Sequence, residues 1–264
     1  MGNCDTIHIS SYAVRPKPVF ENAVVNTSIL LFQKTGTPCQ RLFSTKMHRR
    51  GNEFDLQKLV DNLNYVDVNG YTMMGRIPKI GCEMEKNILT KIFKKTPIKT
   101  LYDDKGNPIY YRTTGGRYFK VVTNYPTGST KEKPLFFQKQ LTNAIGCILS
   151  SSLAFWFYQI YSNNLDWKTY EIENFTIPKL SAENIENLEK LYSRYLMDIE
   201  AKANIRTTSG ESTYNVDSFK EYKIVRSKAI IDEIDDYICP LYGLTQEETD
   251  FIKNYELEFR LAGE

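Results

Sequence analysis

The stretch from residue 148 to residue 178 limits the fold of this chain more tightly than any other. It begins as an apolar helix with a cluster of large rings, namely Phe155, Trp156, Phe157, Tyr158 and Tyr161. The apolar run at 145–157 contains Gly, Ser and Cys and is too short to cross a bilayer, so we expect a buried helix over 140–161. The polar triplet 162–164 ends that helix, and an extended run then continues to Pro178.

Cysteine and histidine usage excludes several classes of site. The 264 residues are enough for one large or two small domains, and they include five cysteines, none in a CxxC pair. An odd number of unclustered cysteines predicts free thiols in a reducing cytoplasm. Only two histidines are present, and the N-terminus lacks a signal peptide. We therefore expect a cytoplasmic protein with no bound metal and no membrane segment.

The first part of the chain predicts strands followed by short helices. Residues 6–12 alternate as a strand does, and 24–32 form a nearly continuous apolar run typical of a buried strand. Such a pair needs a larger sheet, and the first 34 residues cannot supply one alone. Further along, the pattern predicts helices at 54–63 and 84–95, a turn-rich link at 97–108, a hairpin at 109–122 and a polar loop at 124–133.

The last part of the chain predicts helices with good capping signals. Ser181 and Thr245 each precede a helical pattern, with Glu248 at the capping-box position of the second. Between them we expect a polar loop at 202–215 and an amphipathic helix at 222–241 that Pro240 and Gly243 stop, with its acidic side chains facing solvent. The order of elements predicts a mixed α+β fold with a helical C-terminal tail.

The predicted hairpin is the best candidate for contact with nucleic acid. Its cations and tyrosines alternate around a Thr-Thr-Gly-Gly tip that lets the backbone approach a phosphate. The candidate DNA-binding residues are Arg112, Thr113, Thr114, Gly115, Gly116, Arg117, Tyr118 and Lys120. A solvated hairpin tip without a ligand is the alternative interpretation.

The polar segment 162–168 is the second candidate. Asn163 and Asn164 have the amide groups that read adenine edges, and Lys168 has the charge that contacts a phosphate. The two asparagines equally suit the end of a helix. The basic triplet His48-Arg49-Arg50 is a weaker candidate for phosphate contact, since charged loops are usually solvated.

Three segments resemble the C-terminal part of Taq-like adenine-specific DNA methyltransferases and type IIG restriction–modification enzymes. VFENAVVNTSILLFQKTG at 19–36 is similar to the motif that closes their catalytic domain, and HISSYAVRPKPVFE precedes it. The helix, polar break and "NFTIP" strand at 148–178 resemble their target-recognition region, and the segment from Ser227 resembles their tail. The resemblance implies that Phe20 stacks on an adenine flipped out of the duplex, replacing part of its lost stacking.

The resemblance also implies a division of the chain and a missing half. Residues 1–40 would be the end of a methyltransferase-type sheet, 41–180 the DNA target-recognition domain, and 181–264 its helical C-terminal part. The chain lacks both a glycine-rich cofactor loop and the Asn/Asp-Pro-Pro-Tyr/Phe motif. We therefore expect no catalytic or cofactor-binding residue here and an inactive chain by itself, with S-adenosylmethionine bound only in the full enzyme.

The expected partners are double-stranded DNA and a separate or missing catalytic half that meets the apolar 24–32 strand. Two alternatives stay open: a stand-alone DNA specificity subunit without catalysis, and a protein-interaction domain with no nucleic-acid role. The sequence contains no P-loop, GxGxxG, HExxH or GxSxG motif that would indicate another chemistry.

Overall fold

The protein has a mixed α+β fold, as predicted. Its structure, a computed structural model, describes residues 3–20, 22–50, 56–114, 120–207 and 218–261. The chain divides into two compact units. Unit 1 contains Met1–Lys94 and Phe157–Asn164, and unit 2 contains Lys95–Trp156 and Leu165–Glu264. The predicted division at 40 and 180 is a functional one, and it stays a prediction.

Unit 1 is built on a four-stranded sheet with the order β2-β1-β3-β4. Strands β1 and β2 form an antiparallel hairpin, β3 runs parallel to β1, and β4 is antiparallel to β3. The elements are β1 (Cys4–Tyr12), β2 (Thr27–Lys34), β3 (Arg41–His48), α1 (Leu56–Asp61), β4 (Val66–Asp67) and α2 (Glu83–Phe93).

Strand β2 overlaps the apolar segment predicted at 24–32 and is exposed, as expected for a strand whose larger sheet the first 34 residues cannot supply. From Ile29 to Phe32 every side chain is between 44% and 57% exposed, although successive residues point to opposite faces. Strand β2 is the outer strand of its sheet and pairs only with β1 in the described part of the chain. An apolar sequence indicates that a strand is suited to burial, but it does not show whether other elements of the same chain pack on the faces of that strand.

Unit 2 combines a three-stranded sheet, order β7-β6-β8, with a bundle of helices. Its elements up to the bundle core are β5 (Thr96–Pro97), β6 (Tyr102–Arg112), β7 (Val122–Thr123), β8 (Glu132–Phe137), α3 (Thr142–Leu149), α4 (Ser152–Tyr161, which ends in unit 1), α5 (Thr169–Glu173) and β9 (Thr176–Ile177). The remaining elements are α6 (Ala182–Ala201), β10 (Asn204–Thr207), β11 (Ser218–Glu221), α7 (Lys228–Tyr242), α8 (Gln246–Asn254) and α9 (Leu257–Leu261). Short 3-10 turns lie at Ile98–Leu101 and Ile224–Ser227.

The predicted hairpin at 109–122 is present, with Tyr110 opposite Thr123 and Tyr111 opposite Val122. The predicted link at 97–108 was wrong, because β6 begins at Tyr102 and pairs with β8. A register shift between Tyr102 and Asn107 accommodates the turn-forming residues. Only glycine fits at Gly106, where an added Cβ would lie 1.8 Å from the Phe137 carbonyl oxygen.

The single helix predicted over 140–161 is in fact two, α3 and α4, bent by 65°. At the bend, Ser150 and Ser151 hydroxyls donate to the carbonyls of Gly146 and Ile148, which competes with helix continuation. The Asp235 carboxylate accepts from the Ser152 N–H at 2.9 Å and the Leu153 N–H at 3.3 Å, so it caps the start of α4. Asp235 is fully buried, which corrects the prediction that the acids of this segment face solvent.

Within the described ranges, no single helix is long and apolar enough to cross a membrane. The bent pair α3–α4 passes the same test by length and composition alone. Its apolar side chains, including Ile145, Leu149, Leu153 and Trp156, are buried inside the protein. Core helices of this kind have the composition of a short membrane segment because burial selects the same residues.

The predicted helix starts at Ser181 and Thr245 are confirmed. The Ser181 hydroxyl accepts a hydrogen bond from the backbone N–H of Asn184, and the Thr245 hydroxyl accepts one from the backbone N–H of Glu248. The N-terminus of each of the two helices therefore forms a capping box. The helix predicted from 222 begins only at Lys228, because residues up to Glu221 pair as β11. It ends at Gly243, whose φ of 82° suits a left-handed C-cap, while Pro240 is accommodated within the last turn.

Candidate nucleic-acid interface

In unit 1, Phe20 lies on an exposed segment that arginine anchors. The Phe20 side chain is 59% exposed, so it does not belong to the core. The Arg50 Nη1 donates to the carbonyl oxygens of Pro18 at 3.0 Å and Val19 at 3.2 Å. Lys17 also pairs with Arg50 through the backbone. The backbone before Phe20 is therefore held in place while the ring remains open to a stacking partner.

The end of α4 is the second feature of unit 1, and cations bind its carbonyls. Lys79 Nζ donates to the carbonyl oxygens of Ile160 and Ser162, both at 2.8 Å. The Arg76 Nη1 donates to the Tyr161 carbonyl at 3.3 Å. The last carbonyls of a helix have no intrahelical partner, and positive charge complements the helix dipole there. These two cations therefore fix the backbone that leads into the predicted base-reading loop.

Asn163 and Asn164 occupy that loop in two different ways. The Asn163 carbonyl accepts from Asn26 Nδ2 at 2.6 Å. Asn164 has a positive φ of 61°, which suits a helix end, as the alternative interpretation of the sequence proposed. Its Oδ1 and Nδ2 are inaccessible to solvent and have no hydrogen-bond partner within the described structure. In this conformation Asn164 therefore presents no edge to a base.

The basic triplet His48-Arg49-Arg50 serves unit 1 internally. Burial, with a contribution from the Lys46 charge, lowers the pKa of His48 to about 4. The Arg49 Nη2 donates to Gln159 Oε1 at 2.8 Å, and Arg50 binds the two carbonyls before Phe20. These residues are therefore not simply solvated, and contact with phosphate stays a prediction.

In unit 2, the hairpin and the segment after residue 164 meet, although the sequence had suggested them separately. The Trp167 N–H donates to the Thr113 carbonyl at 2.7 Å. The Tyr111 hydroxyl lies 2.8 Å from the Thr169 hydroxyl, and its ring meets the Trp167 ring edge-on with centroids 5.7 Å apart. Because Tyr111 and Trp167 are buried, this contact joins the base of the hairpin to the start of α5.

The predicted cations of unit 2 differ in exposure. Lys168 is exposed, and Arg112, Thr113 and Thr114 of the hairpin are half-buried. Lys120 is only 7% exposed, which corrects its assignment as a ready phosphate contact. Burial lowers the pKa of Lys120 to about 8, against the opposing attraction of the Asp166 carboxylate. The tip residues Gly115, Gly116, Arg117 and Tyr118 lie outside the described residues.

The chemistry of these two surfaces suits binding. The described ranges contain no group of three or more metal-ligating side chains. Their accessible groups are a ring, two cations and backbone polar groups, which can stack on bases and contact phosphates. The sequence did not predict the roles of Asn26 and Lys79, because the identity of a single asparagine or lysine does not indicate which distant residue it bonds to.

No protein-family model and no curated protein matches this sequence. The similarity to adenine-specific methyltransferases is therefore a prediction from the quoted motifs.

Proposed function

We propose that this chain recognises DNA as the C-terminal portion of an adenine-specific DNA methyltransferase or restriction–modification enzyme. The chain positions the duplex, and a partner that carries the missing motifs transfers the methyl group from S-adenosylmethionine to the adenine amino group. The chain by itself is inactive in methyl transfer, because it lacks the glycine-rich loop and the Pro-Pro motif.

The observation that carries the proposal is the junction of the hairpin with the 165–168 segment. The 2.7 Å bond from the Trp167 N–H to the Thr113 carbonyl places Arg112 and Lys168 on elements that are tied together. Arginine is the commonest residue in specific guanine contacts, and lysine binds phosphate as a point charge. A rigid junction that supports cations on two protein elements suits simultaneous contact with a DNA groove and with the DNA backbone.

The exposed strand β2 supports the second part of the proposal, a protein partner. Its apolar side chains are exposed on both faces of the sheet, and exposed apolar surface of this extent is typical of an interaction site. A strand that is apolar on both faces suits the interior of a sheet covered by helices on both sides. The catalytic half of a methyltransferase would supply that kind of sheet.

Salt-dependent DNA binding tests the proposal. We expect the purified chain to bind duplex DNA, measured by fluorescence anisotropy, with an affinity that falls steeply as salt rises and does not depend on S-adenosylmethionine. Lys168→Ala should lower the salt slope by about 1, and Arg112→Ala should weaken binding by about tenfold.

Lys190→Ala is the matched control, since it also removes one exposed cation of unit 2. Lys190 lies on α6 and pairs with Glu186 at 2.6 Å. We expect this variant to bind like the unchanged protein. The absence of binding at any salt concentration, or equal losses in all three variants, would contradict the proposal.

A further inference from the structure

Asn26 uses both ends of its side-chain amide to join two separate segments of unit 1. Its Oδ1 accepts the Val14 N–H at 2.7 Å, and its Nδ2 donates to the Asn163 carbonyl at 2.6 Å. Both bonds are partly buried, which shields them from competing water. An amide side chain both accepts and donates, whereas a carboxylate only accepts and an ammonium only donates, so neither kind of charged side chain would make the two bonds together.

The first bond closes the segment that carries Phe20. Val14 follows β1 and is buried, and the N–H of its neighbour Ala13 donates to the His48 carbonyl at 2.8 Å. Asn26 immediately precedes β2. Phe20 thus lies within a loop whose two ends are joined by the amide of Asn26 and whose middle is held by Arg50.

The second bond extends the row of anchored carbonyls at the end of α4. The carbonyls of Ile160, Tyr161 and Ser162 accept from Lys79 and Arg76, and the next carbonyl, that of Asn163, accepts from Asn26. The loop after α4 is therefore fixed by side chains at four successive carbonyls. Asn26 also bonds to Val14, at the start of the Phe20 segment.

We infer that Asn26 is a positioning residue that holds the Phe20 segment against the backbone at the end of α4, so that the Phe20 ring is preformed to stack on an unstacked adenine base. The inference rests on the proposed function and adds a residue that the quoted motifs do not assign to any role. The amide does not touch the base. It acts by removing the entropic cost of ordering two loops when the base binds, which is the basis of preorganisation.

Asn26→Asp separates the two bonds. The carboxylate still accepts the Val14 N–H, but it has no donor for the Asn163 carbonyl and repels that oxygen. Asn26→Ala removes both bonds without adding charge. Asn69→Asp is the matched control, because Asn69 Nδ2 also donates to a backbone carbonyl of unit 1, that of Gln40 at 2.8 Å, on an exposed turn.

The probe is a single-stranded oligonucleotide that contains one 2-aminopurine, whose fluorescence reports stacking on the protein. Loss of an aromatic stacking partner costs about 1–3 kcal/mol per base, so Phe20→Ala should weaken binding about tenfold. Asn26→Asp and Asn26→Ala should each weaken it several-fold, and their effects should not add to that of Phe20→Ala in a double-mutant cycle. The salt dependence should stay close to that of the control, whereas the thermal midpoint should fall by a few degrees, because each variant removes at least one partly buried hydrogen bond.

The outcomes distinguish the inference from the proposed function. If Phe20→Ala weakens binding while both Asn26 variants behave like Asn69→Asp, Asn26 does not position the site and the inference fails alone. If Phe20→Ala has no effect on an oligonucleotide that does bind, the stacking role that the resemblance implies for Phe20 fails together with the inference, while the DNA binding of the proposed function stands. Additive losses would show that Asn26 acts independently of Phe20, which also overturns the inference.

Discussion

At the scale of single residues, the most consequential side chain is the buried carboxylate of Asp235. It caps α4 from a different helix, α7, and Arg260 lies close enough to attract it. Burial nevertheless dominates and raises the pKa of Asp235 from 3.8 to about 7. The charge of Asp232 adds to the cost of the ionised form, and burial together with Asp235 raises the pKa of the Cys147 and Cys239 thiols.

Asp235→Asn should remove part of the pH dependence of stability. Because the folded pKa is higher than the unfolded one, the stabilising contribution of protonated Asp235 is complete below about pH 4 and is lost as the pH rises through about 7. We therefore expect the free energy of unfolding to fall over this range less steeply in the variant. Denaturant titrations at several pH values measure this slope, and equal slopes would refute the assignment.

Gly146 shows how closely two helices of unit 2 approach. A Cβ added there would lie 2.5 Å from the Tyr192 Cζ, and Tyr192 is buried with its hydroxyl bonded to the Val122 carbonyl. Gly146→Ala should therefore lower the free energy of unfolding by about 1–3 kcal/mol, despite the better helix propensity of alanine. Thermal melts check this, with the exposed helical Ser193→Ala as a control that should change stability little.

At the scale of elements, β2 is an exposed apolar edge strand whose side chains contribute little to folding. Replacing Leu31 and Phe32, one from each face, by glutamine should reduce the binding of a hydrophobic fluorescent dye and change stability by less than about 1 kcal/mol. Leu42→Gln on β3 is the control, because Leu42 is 4% exposed and should cost several kcal/mol. Equal destabilisation by both changes would contradict the exposure of β2.

The elements that could be predicted from the sequence were those with local signals. The helices after Ser181 and Thr245 could be predicted because each capping bond spans only three residues. The hairpin at 109–122 could be predicted from the alternating side chains on both sides of its glycine-containing tip. The break between α3 and α4 was missed because its cap, Asp235, lies 83 residues away from Ser152. Asn26 was not predicted as a site residue for the same reason, because its partner Asn163 lies 137 residues away.

At the scale of the whole molecule, the two candidate surfaces belong to different units and have different roles in the proposal. Phe20 lies in unit 1 and would engage a base from a segment that Asn26 positions, whereas Arg112 and Lys168 lie in unit 2 and would engage a groove and its phosphates. The variants proposed above therefore separate two functions. Changes in unit 1 should alter the 2-aminopurine signal at constant salt dependence, and changes in unit 2 should alter the salt dependence.

The return of residues 157–164 to unit 1 has a consequence for synthesis of the chain. Lys79 binds the carbonyl of Ile160, which is translated 81 residues later, and Asn26 binds the carbonyl of Asn163, which is translated 137 residues later. While the ribosome is still translating the hairpin, the carbonyls of Ile160 and Asn163 that these two side chains bind have not yet been made. Unit 1 can therefore finish folding only after residues 95–156 of unit 2 have been made, so the two units cannot fold strictly one after the other as N-terminal units usually do.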